Sequence, residues 1–451
     1  MWSHRFRASL LIALWTHAGC VPLEPSAELL DAQRDLRLGL PVFPGAEGFG
    51  TRTVAGRGGQ ILRVTNLHPD GPGSLREALA TAGARTIVFE VAGNLHIQDS
   101  LVIGEPYVTV AGQTAPSPGI TISGASIVIA THDVLLQHLR VRAGDSPTGP
   151  DPGGRDSLSI DGGLGGRNDV HNVVIDHGSF SWAIDEGAST WNPGVRDITL
   201  RASIIAENLS HSLHPKGEHS KGLLIGDHSK RVSVIGCLFA HNRLRNPILK
   251  GDVSAVLANN VIYNPGAEAI HLDDPEQSGP TLATIVGNVL RTGPDTNAFV
   301  PLVDALLDVQ SSSEISLLDN AAGHQVLTRA LRTPGIFRGL ASAGYGAARV
   351  QVQPLSLWPA DQTLDHVLQS AGARPADRDA VDARIVADVR SRGGAILDSP
   401  GQVGGLPAVS PVTRPLTLPD RPGADDDGDG YSNTEAWLQQ QARAVEGSTA
   451  K

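Results

Sequence analysis

Two cysteines, Cys20 and Cys237, are all that 451 residues contain, so no framework of disulfides holds this chain together. Aromatic residues are scarce, at 6 Trp, 4 Tyr and 8 Phe, although hydrophobic residues make up 40% of the sequence. A large core must therefore be built from Val, Ile, Leu and Ala. No internal stretch approaches the roughly 18 uninterrupted apolar residues of a spanning helix, which excludes a multispan membrane protein. The formal net charge of −11 argues against a nucleic-acid-binding surface. Gly at 51 and Pro at 30 stay below the level that signals wholesale disorder. What the chain does have is length, enough for one large domain with accessories.

Residues 1–25 read as an export signal, with Arg5 and Arg7 as its charged region and Ala8–Trp15 as its short apolar core. His17-Ala18-Gly19-Cys20 resembles a bacterial lipoprotein box with His17 at a normally aliphatic position, so lipidation at Cys20 and simple cleavage nearby both stay open. The expected location is secreted or extracellular.

From Ile61 to about Asn320, short β-branched runs alternate with Gly, Asn, Asp and Ser turns. Thr86–Val91, Val108–Val110, Val173–Ile175 and Val232–Ile235 are examples, and runs of this kind read as strands. No amphipathic helix of a βαβ unit separates them, which leaves a sandwich, a propeller or a solenoid. Aligning the runs exposes a column: His138, Gly178, Ser203, Cys237, Asn260, Asn288 and Asn320. Irregular repeats of this size suit stacked coils with loops of varying length. Small or Asn residues at one corner of each coil can stack and bond their neighbours, which points to an all-β, single-stranded parallel β-helix. Ser74-Leu75-Arg76-Glu77 is a capping-box pattern opening a short helix through Ala80, a lid for the N-terminal end. Asp379–Arg390 places Val381, Ile385 and Val389 on one helical face. The expected division is residues 40–404 for the solenoid and its helical segment, 405–423 for a stiff proline-rich linker, and 424–451 for a small acidic tail.

The chemistry is concentrated where lysine is. Five lysines stand against 31 arginines, and Lys216, Lys221, Lys230 and Lys250 fall in one short window. A chain that otherwise uses Arg keeps a compact, flexible ammonium here. Arg243, Arg245 and the histidines His211, His214, His219, His228 and His241 share the window. A zinc site on His211, His214 and His219 is disfavoured, because no Glu sits inside the pair and no helix aligns it. Upstream, Asp156, Asp176, Asp185 and Glu186 gather at what read as equivalent places on neighbouring coils. Clustered carboxylates suit a hard cation such as calcium. Opposite a basic cluster, they read as a cation bridge between protein and an anionic substrate.

Val173–His177 resembles the strand motif of polysaccharide lyase family 1, the pectate lyases, and Arg245-Asn246-Pro247-Ile248-Leu249-Lys250 is similar to that family's active-site strand. Ser220–Gly226 resembles its substrate-lysine strand, and Phe43–Gly50 the start of its bacterial branch. The likeness runs from about Phe43 to Pro407. It implies a right-handed parallel β-helix, calcium as cofactor, and β-elimination of an acidic polysaccharide, polygalacturonate. It further implies that Arg245 takes the C5 proton and that Lys221 and Lys250 hold the uronate carboxylate. Asp156, Asp176, Asp185 and Glu186 are the implied calcium region, with Lys216, His219 and Arg243 as substrate contacts. An arginine base, with a free pKa above about 12, requires neighbouring cations and desolvation to depress it. The chain departs from the family at Lys250, where arginine is usual, and at the adjacent Asp185 and Glu186, where two carboxylates four apart are common. Lys216 competes with Lys221 for the substrate role.

In the tail, Asp425, Asp427, Asp429 and Asn433 occupy positions 1, 3, 5 and 9 of an EF-hand-like loop, with Glu435 one residue early for the last ligand. A structural calcium site is expected there. The chain is expected to act as a monomer. Two other functions fit a solenoid: an inverting glycoside hydrolase using paired Asp residues, and a non-catalytic glycan-binding surface protein. The hydrolase leaves Arg245 and the lysines without a role, and for the binder the fold alone argues neither way.

Overall fold

The computed structural model describes residues 39–305, 313–323 and 350–447, with the backbone of the short strands Gln325–Val326 and Phe337–Gly339. The leader, Cys20 and Lys451 lie outside the described residues.

The β-branched runs are strands, among them Arg85–Phe89, Val108–Ala111, Val170–Asp176 and Lys230–Ile235. Among the described residues they assemble into three sheets of 10, 9 and 11 strands, in which each strand pairs with its counterparts on the adjoining coils. Pairing is parallel throughout the solenoid. Two short exceptions, Gln325–Val326 and Val412–Thr413, pair antiparallel at sheet ends. This is a parallel β-helix, as the short strands and missing βαβ helices predicted.

Register stacks like on like. In the first sheet Ile87, Val110, Leu136, Ile175, Leu200, Val234, Leu257, Ile285 and Leu317 are successive Cα partners. All are buried in one continuous aliphatic core. A one-residue slip would turn this column outward, so burial fixes the register of every coil.

The polar column is a hydrogen-bonded ladder. Asn260 N and Nδ2 donate to Asn288 Oδ1 at 3.0 and 2.9 Å. Asn288 N and Nδ2 donate in turn to Asn320 Oδ1 at 2.9 and 3.1 Å. Cys237 N donates to Asn260 Oδ1, and Gly178 N to Ser203 Oγ. Burial pushes the Cys237 thiol up to about 12, so it fills its place as a small apolar group. His138 does not belong to the column: Ser179 pairs with Arg140, which sets Gly178 opposite Leu139 instead.

The ends and one flank are covered. The Leu75–Ala80 helix is capped by Ser74, whose side chain accepts from Glu77 N, while Glu77 accepts from Gly73 N rather than from the cap itself. The predicted second helix runs Ala380–Ser391 with Asp379 as its cap, and it buries Val381, Ile385 and Val389 against Trp182, Ile204 and Leu238. Arg142 grips it from the solenoid, donating to Asp379 Oδ2 at 2.6 Å and Asp382 Oδ1 at 3.0 Å. Two helices were not anticipated, Ala360–Ser370 and Asn433–Glu446. The proline-rich stretch is not a free linker. Val412–Thr413 pairs with Val91–Ala92, and Arg414 N donates to Glu90 O at 2.7 Å, so this strap covers a sheet edge.

Two predictions follow from these contacts. Asn288→Ala removes both bonds from Asn260 and the Nδ2 bond to Asn320, and leaves the buried Asn260 N–H without an acceptor, so chemical denaturation should show a loss of about 2–4 kcal/mol. Asp379 is raised by burial, but the Arg142 charge and hydrogen bonds outweigh this and hold it down to about 2. Its stabilising contribution is thus full above the ordinary carboxylate range and is lost as pH falls through about 2. Asp379→Asn keeps a capping oxygen yet loses the charge. It should lower stability at neutral pH by on the order of 2 kcal/mol and flatten the acid limb of the stability–pH curve.

Candidate active site

The site is written at the starts of neighbouring strands in the nine-stranded sheet. Asp156 precedes the Leu158–Asp161 strand, Glu186 opens Glu186–Trp191, and Lys221 opens Lys221–Ile225. Glu186 and Lys221 are direct Cα partners, and Lys221 bridges to Leu244 on the next coil, which delivers Arg245 beside them. Ser157 N donates to Glu186 O, which brings Asp156 alongside Glu186. Residues 30 to 35 apart in sequence thus become neighbours because the coils stack in register.

Asp156, Asp185 and Glu186 present carboxylate oxygens that all lie within 4.8 Å of one another. Asp156 Oδ1 accepts from Glu186 N at 3.0 Å, and its Oδ2 accepts from Ser189 Oγ at 2.5 Å. Lys221 Nζ stands 3.5 Å from both Asp185 Oδ1 and Glu186 Oε1, and 2.7 Å from His219 Nε2. Arg245 Nη1 donates to the same Glu186 Oε1. The sequence led us to expect cations around Arg245; what it meets first is a carboxylate, with Lys221 on the other side of it. Arg245 holds a left-handed backbone at φ 59°, a rare conformation for a side chain of this size.

The carboxylates are not equivalent. Burial first, then the charges of Glu186 and Asp185, push Asp156 well above the ordinary carboxylate range. Burial and Asp185 likewise raise Glu186, against the pull of Lys221 and Arg245. Asp185 is raised by burial, but the hydrogen bonds from His219 and Glu186 and the charge of Lys221 prevail and hold it down to about 2. Burial and the stacked His219 ring, 3.3 Å away between centroids, lower His214. An all-oxygen trio whose members destabilise one another's charge has the donor chemistry of a hard divalent cation site, and calcium fits it.

Lys250 lies on the far end of the Ile248–Leu249 strand, where Nζ contacts Glu276 Oε2 at 2.9 Å. The Lys250 hydrogen bond, with the charges of Lys250 and Arg245, lowers Glu276, so the two cations act on one patch. His219 is buried within the cluster, whereas Lys216 is exposed on the preceding turn. Arg243 is half-buried and pairs with Glu218 Oε2 at 3.0 Å. Of these two lysines, Lys221 is the one placed beside the clustered carboxylates.

Three expected ligands are placed elsewhere. Asp176 lies in the ten-stranded sheet opposite its Cα partner Arg201, bonds His177 Nδ1 at 2.9 Å, and is not among the clustered carboxylates. Burial would raise it, but Arg201 and His177 hold it far below the usual range. In the tail, Asp425, Asp427 and Asp429 do come together. Asn433 instead opens the last helix, its Nδ2 bonding Asp420 and Arg421 carbonyls. Glu435 completes that helix's capping box with Ser432 and pairs with Arg57 at 2.6 Å. Sequence reasoning missed Glu276 and Asp273 as neighbours of Lys250, and His214 as a neighbour of Asp185.

No family model matches this chain. A probable pectate lyase C of Aspergillus flavus is 32% identical over 400 residues, covering 87% of this chain and 85% of that protein. Its namesake in Aspergillus fumigatus is 31% identical over 417 residues, with 90% and 89% covered. A pectate lyase 1 of Hesperocyparis arizonica is 28% identical over 213 residues, 43% of this chain and 54% of that protein. Among solved structures, the major allergen of cedar pollen superposes with a TM-score of 0.52 at 17% identity, covering 71% of this chain and 91% of that one. A thermostable pectate lyase superposes with a TM-score of 0.50 at 11% identity, covering 74% and 98%. The relatives that span most of the chain are fungal, so the expected assignment to a bacterial branch has no support from them. Carboxylates, lysine and arginine on consecutive coils of a parallel β-helix, together with this extent of identity, lead to one assignment: the chain belongs to the pectate lyase family of polysaccharide lyases.

Proposed function

We propose that this protein cleaves polygalacturonate outside the cell by calcium-assisted β-elimination, with Arg245 as the base, releasing 4,5-unsaturated oligogalacturonides. The observation that carries the reading is the shared Glu186 carboxylate, where Lys221, Arg245 and two further buried-side acids converge on one face. Asp156, Asp185 and Glu186 would hold the calcium ion. When bound, it supplies electrostatic stabilisation of the enolate-like charge that develops on the uronate.

The chain's own residues do the rest. In the resting arrangement Lys221 and Arg245 share Glu186 Oε1, and an incoming uronate carboxylate competes for both cations. Lys221 and Lys250 hold that carboxylate, which sets the C5 hydrogen toward Arg245. Displaced from Glu186 by the arriving uronate, Arg245 gives one proton to solvent and enters the step as the neutral guanidine; the C5 proton then passes to it, the C4–O bond breaks, a C4–C5 double bond forms, and the leaving oxygen is protonated from solvent. His219, bonded to Lys221, orients the ammonium. The reading also gives Asp425, Asp427 and Asp429 a structural calcium role in the tail. The export leader supplies the extracellular location, and the substrate is met by a monomer.

Incubation with polygalacturonate and calcium should raise ultraviolet absorbance from the unsaturated product. Reducing ends without absorbance would assign a hydrolase, and neither signal would assign a binder. Excess chelator should abolish turnover reversibly while circular dichroism stays that of the folded solenoid; undiminished activity removes calcium from the mechanism. Arg245→Lys should lose several orders of magnitude in kcat with a much smaller change in KM, because an ammonium does not reproduce the guanidinium geometry. Lys221→Ala should show the opposite balance. Near-normal turnover in Arg245→Lys would place the base elsewhere.

A further inference from the structure

We propose that His138, His177, Asp176 and Glu446 form a binding site for a zinc-class divalent metal ion that clamps the C-terminal helix to the solenoid. The site is separate from the proposed catalytic face: Asp176 lies in the ten-stranded sheet, and Glu446 ends the Asn433–Glu446 helix. One ligand atom from each of the four residues lies within 4.8 Å of the others.

His138 Nδ1 lies 2.8 Å from the Ala373 carbonyl, which only accepts, so Nδ1 carries the hydrogen. Nε2 is then the ring nitrogen that remains to be satisfied. His138 is 0% exposed, and Nε2 has no hydrogen-bond partner. It faces Glu446 Oε1 at 3.4 Å, so two acceptors confront one another in a buried place. That arrangement costs free energy unless a cation lies between them.

The remaining geometry suits a metal. His177 Nδ1 is 3.7 Å from the same Glu446 oxygen and 2.9 Å from Asp176 Oδ1. Metal bonds of about 2.0 Å in tetrahedral array require ligand atoms about 3.3 Å apart, and the three separations of 3.4, 3.7 and 2.9 Å bracket that value. The two rings lie nearly parallel, at 13° with centroids 5.1 Å apart, and each presents a nitrogen to the same Glu446 oxygen. Two neutral imidazoles and two carboxylates balance a divalent charge, a donor set for zinc rather than calcium. On binding, His177 exchanges its hydrogen bond to Asp176 for the metal. Arg201, 3.1 Å from Asp176 Oδ1, and Gln137, 2.8 Å from Oδ2, hold that carboxylate from outside.

The test uses the full chain, stripped of metal and kept in excess calcium to occupy the oxygen sites. Cobalt titration should give the visible absorption of a tetrahedral nitrogen–oxygen site at one ion per chain, displaced by zinc, with a zinc-dependent rise in Tm. Glu446→Gln, at the partly exposed end of a helix, should weaken zinc binding roughly tenfold or more and remove the Tm response. His138→Gln should do the same; if it does not fold, Glu446→Gln decides alone. Absence of the cobalt spectrum would mean that a proton alone bridges His138 and Glu446. Undiminished zinc binding in Glu446→Gln would place the ion at Asp185, His214 and His219 instead. Either result overturns the proposal.

Discussion

In-register parallel pairing sets each residue about 4.8 Å from its counterpart on the next coil, and the rest of this molecule depends on that constraint. A side chain is chosen for what stands one coil away. Inside, the requirement is met by aliphatic groups stacked from Ile87 to Leu317. At one corner it is met by asparagine, whose amide donates and accepts in the same direction, so that Asn260, Asn288 and Asn320 bond in series. Without this register, Glu186 would not face Lys221, and Arg245 would not reach Glu186.

The same constraint decides electrostatics. Stacking unlike charges, as in Asp176 over Arg201, neutralises a buried carboxylate within the fold. Stacking like charges, as in Asp156 beside Glu186, raises both carboxyls and leaves the pair dependent on cations from neighbouring coils. The two outcomes separate an acid whose charge the fold itself balances from acids left dependent on neighbouring coils. Residue type alone does not distinguish them.

That is why much of the fold, and less of the site, was legible in the sequence. Strand runs and the Asn column are local requirements repeated along the chain. Asp156, Asp185, Glu186, Lys221 and Arg245 were readable because motif order follows coil order. Asp176 looked the same as the other acids, and only its partner Arg201 reveals that it belongs to a different sheet. Glu435 was drawn away by Arg57, 378 residues distant, a contact no spacing encodes. The Ser432–Glu435 capping box was a readable signal for the last helix, but the acidic run before it invited a calcium-loop reading through Asn433 and Glu435. The prolines after residue 404 announce that no central strand can form; they do not announce an edge strand, which needs its partner Val91–Ala92 in view.

The proposed catalytic face is a place where this chain accepts charges it does not fully neutralise. Asp185 stays ionised because His219 and Lys221 serve it, while Asp156 and Glu186 compete with it and with each other for what remains. A solenoid built only for stability could place an apolar or hydroxyl side chain at those positions without disturbing the aliphatic column behind them. The unfavourable trio survives because the column fixes its backbone so firmly that repulsion cannot relax by shifting a strand. Rigid stacking thus does more than position the groups. It holds three acids and two cations in an arrangement that a polyanionic chain and a divalent ion, arriving together, would satisfy better than the protein satisfies it alone.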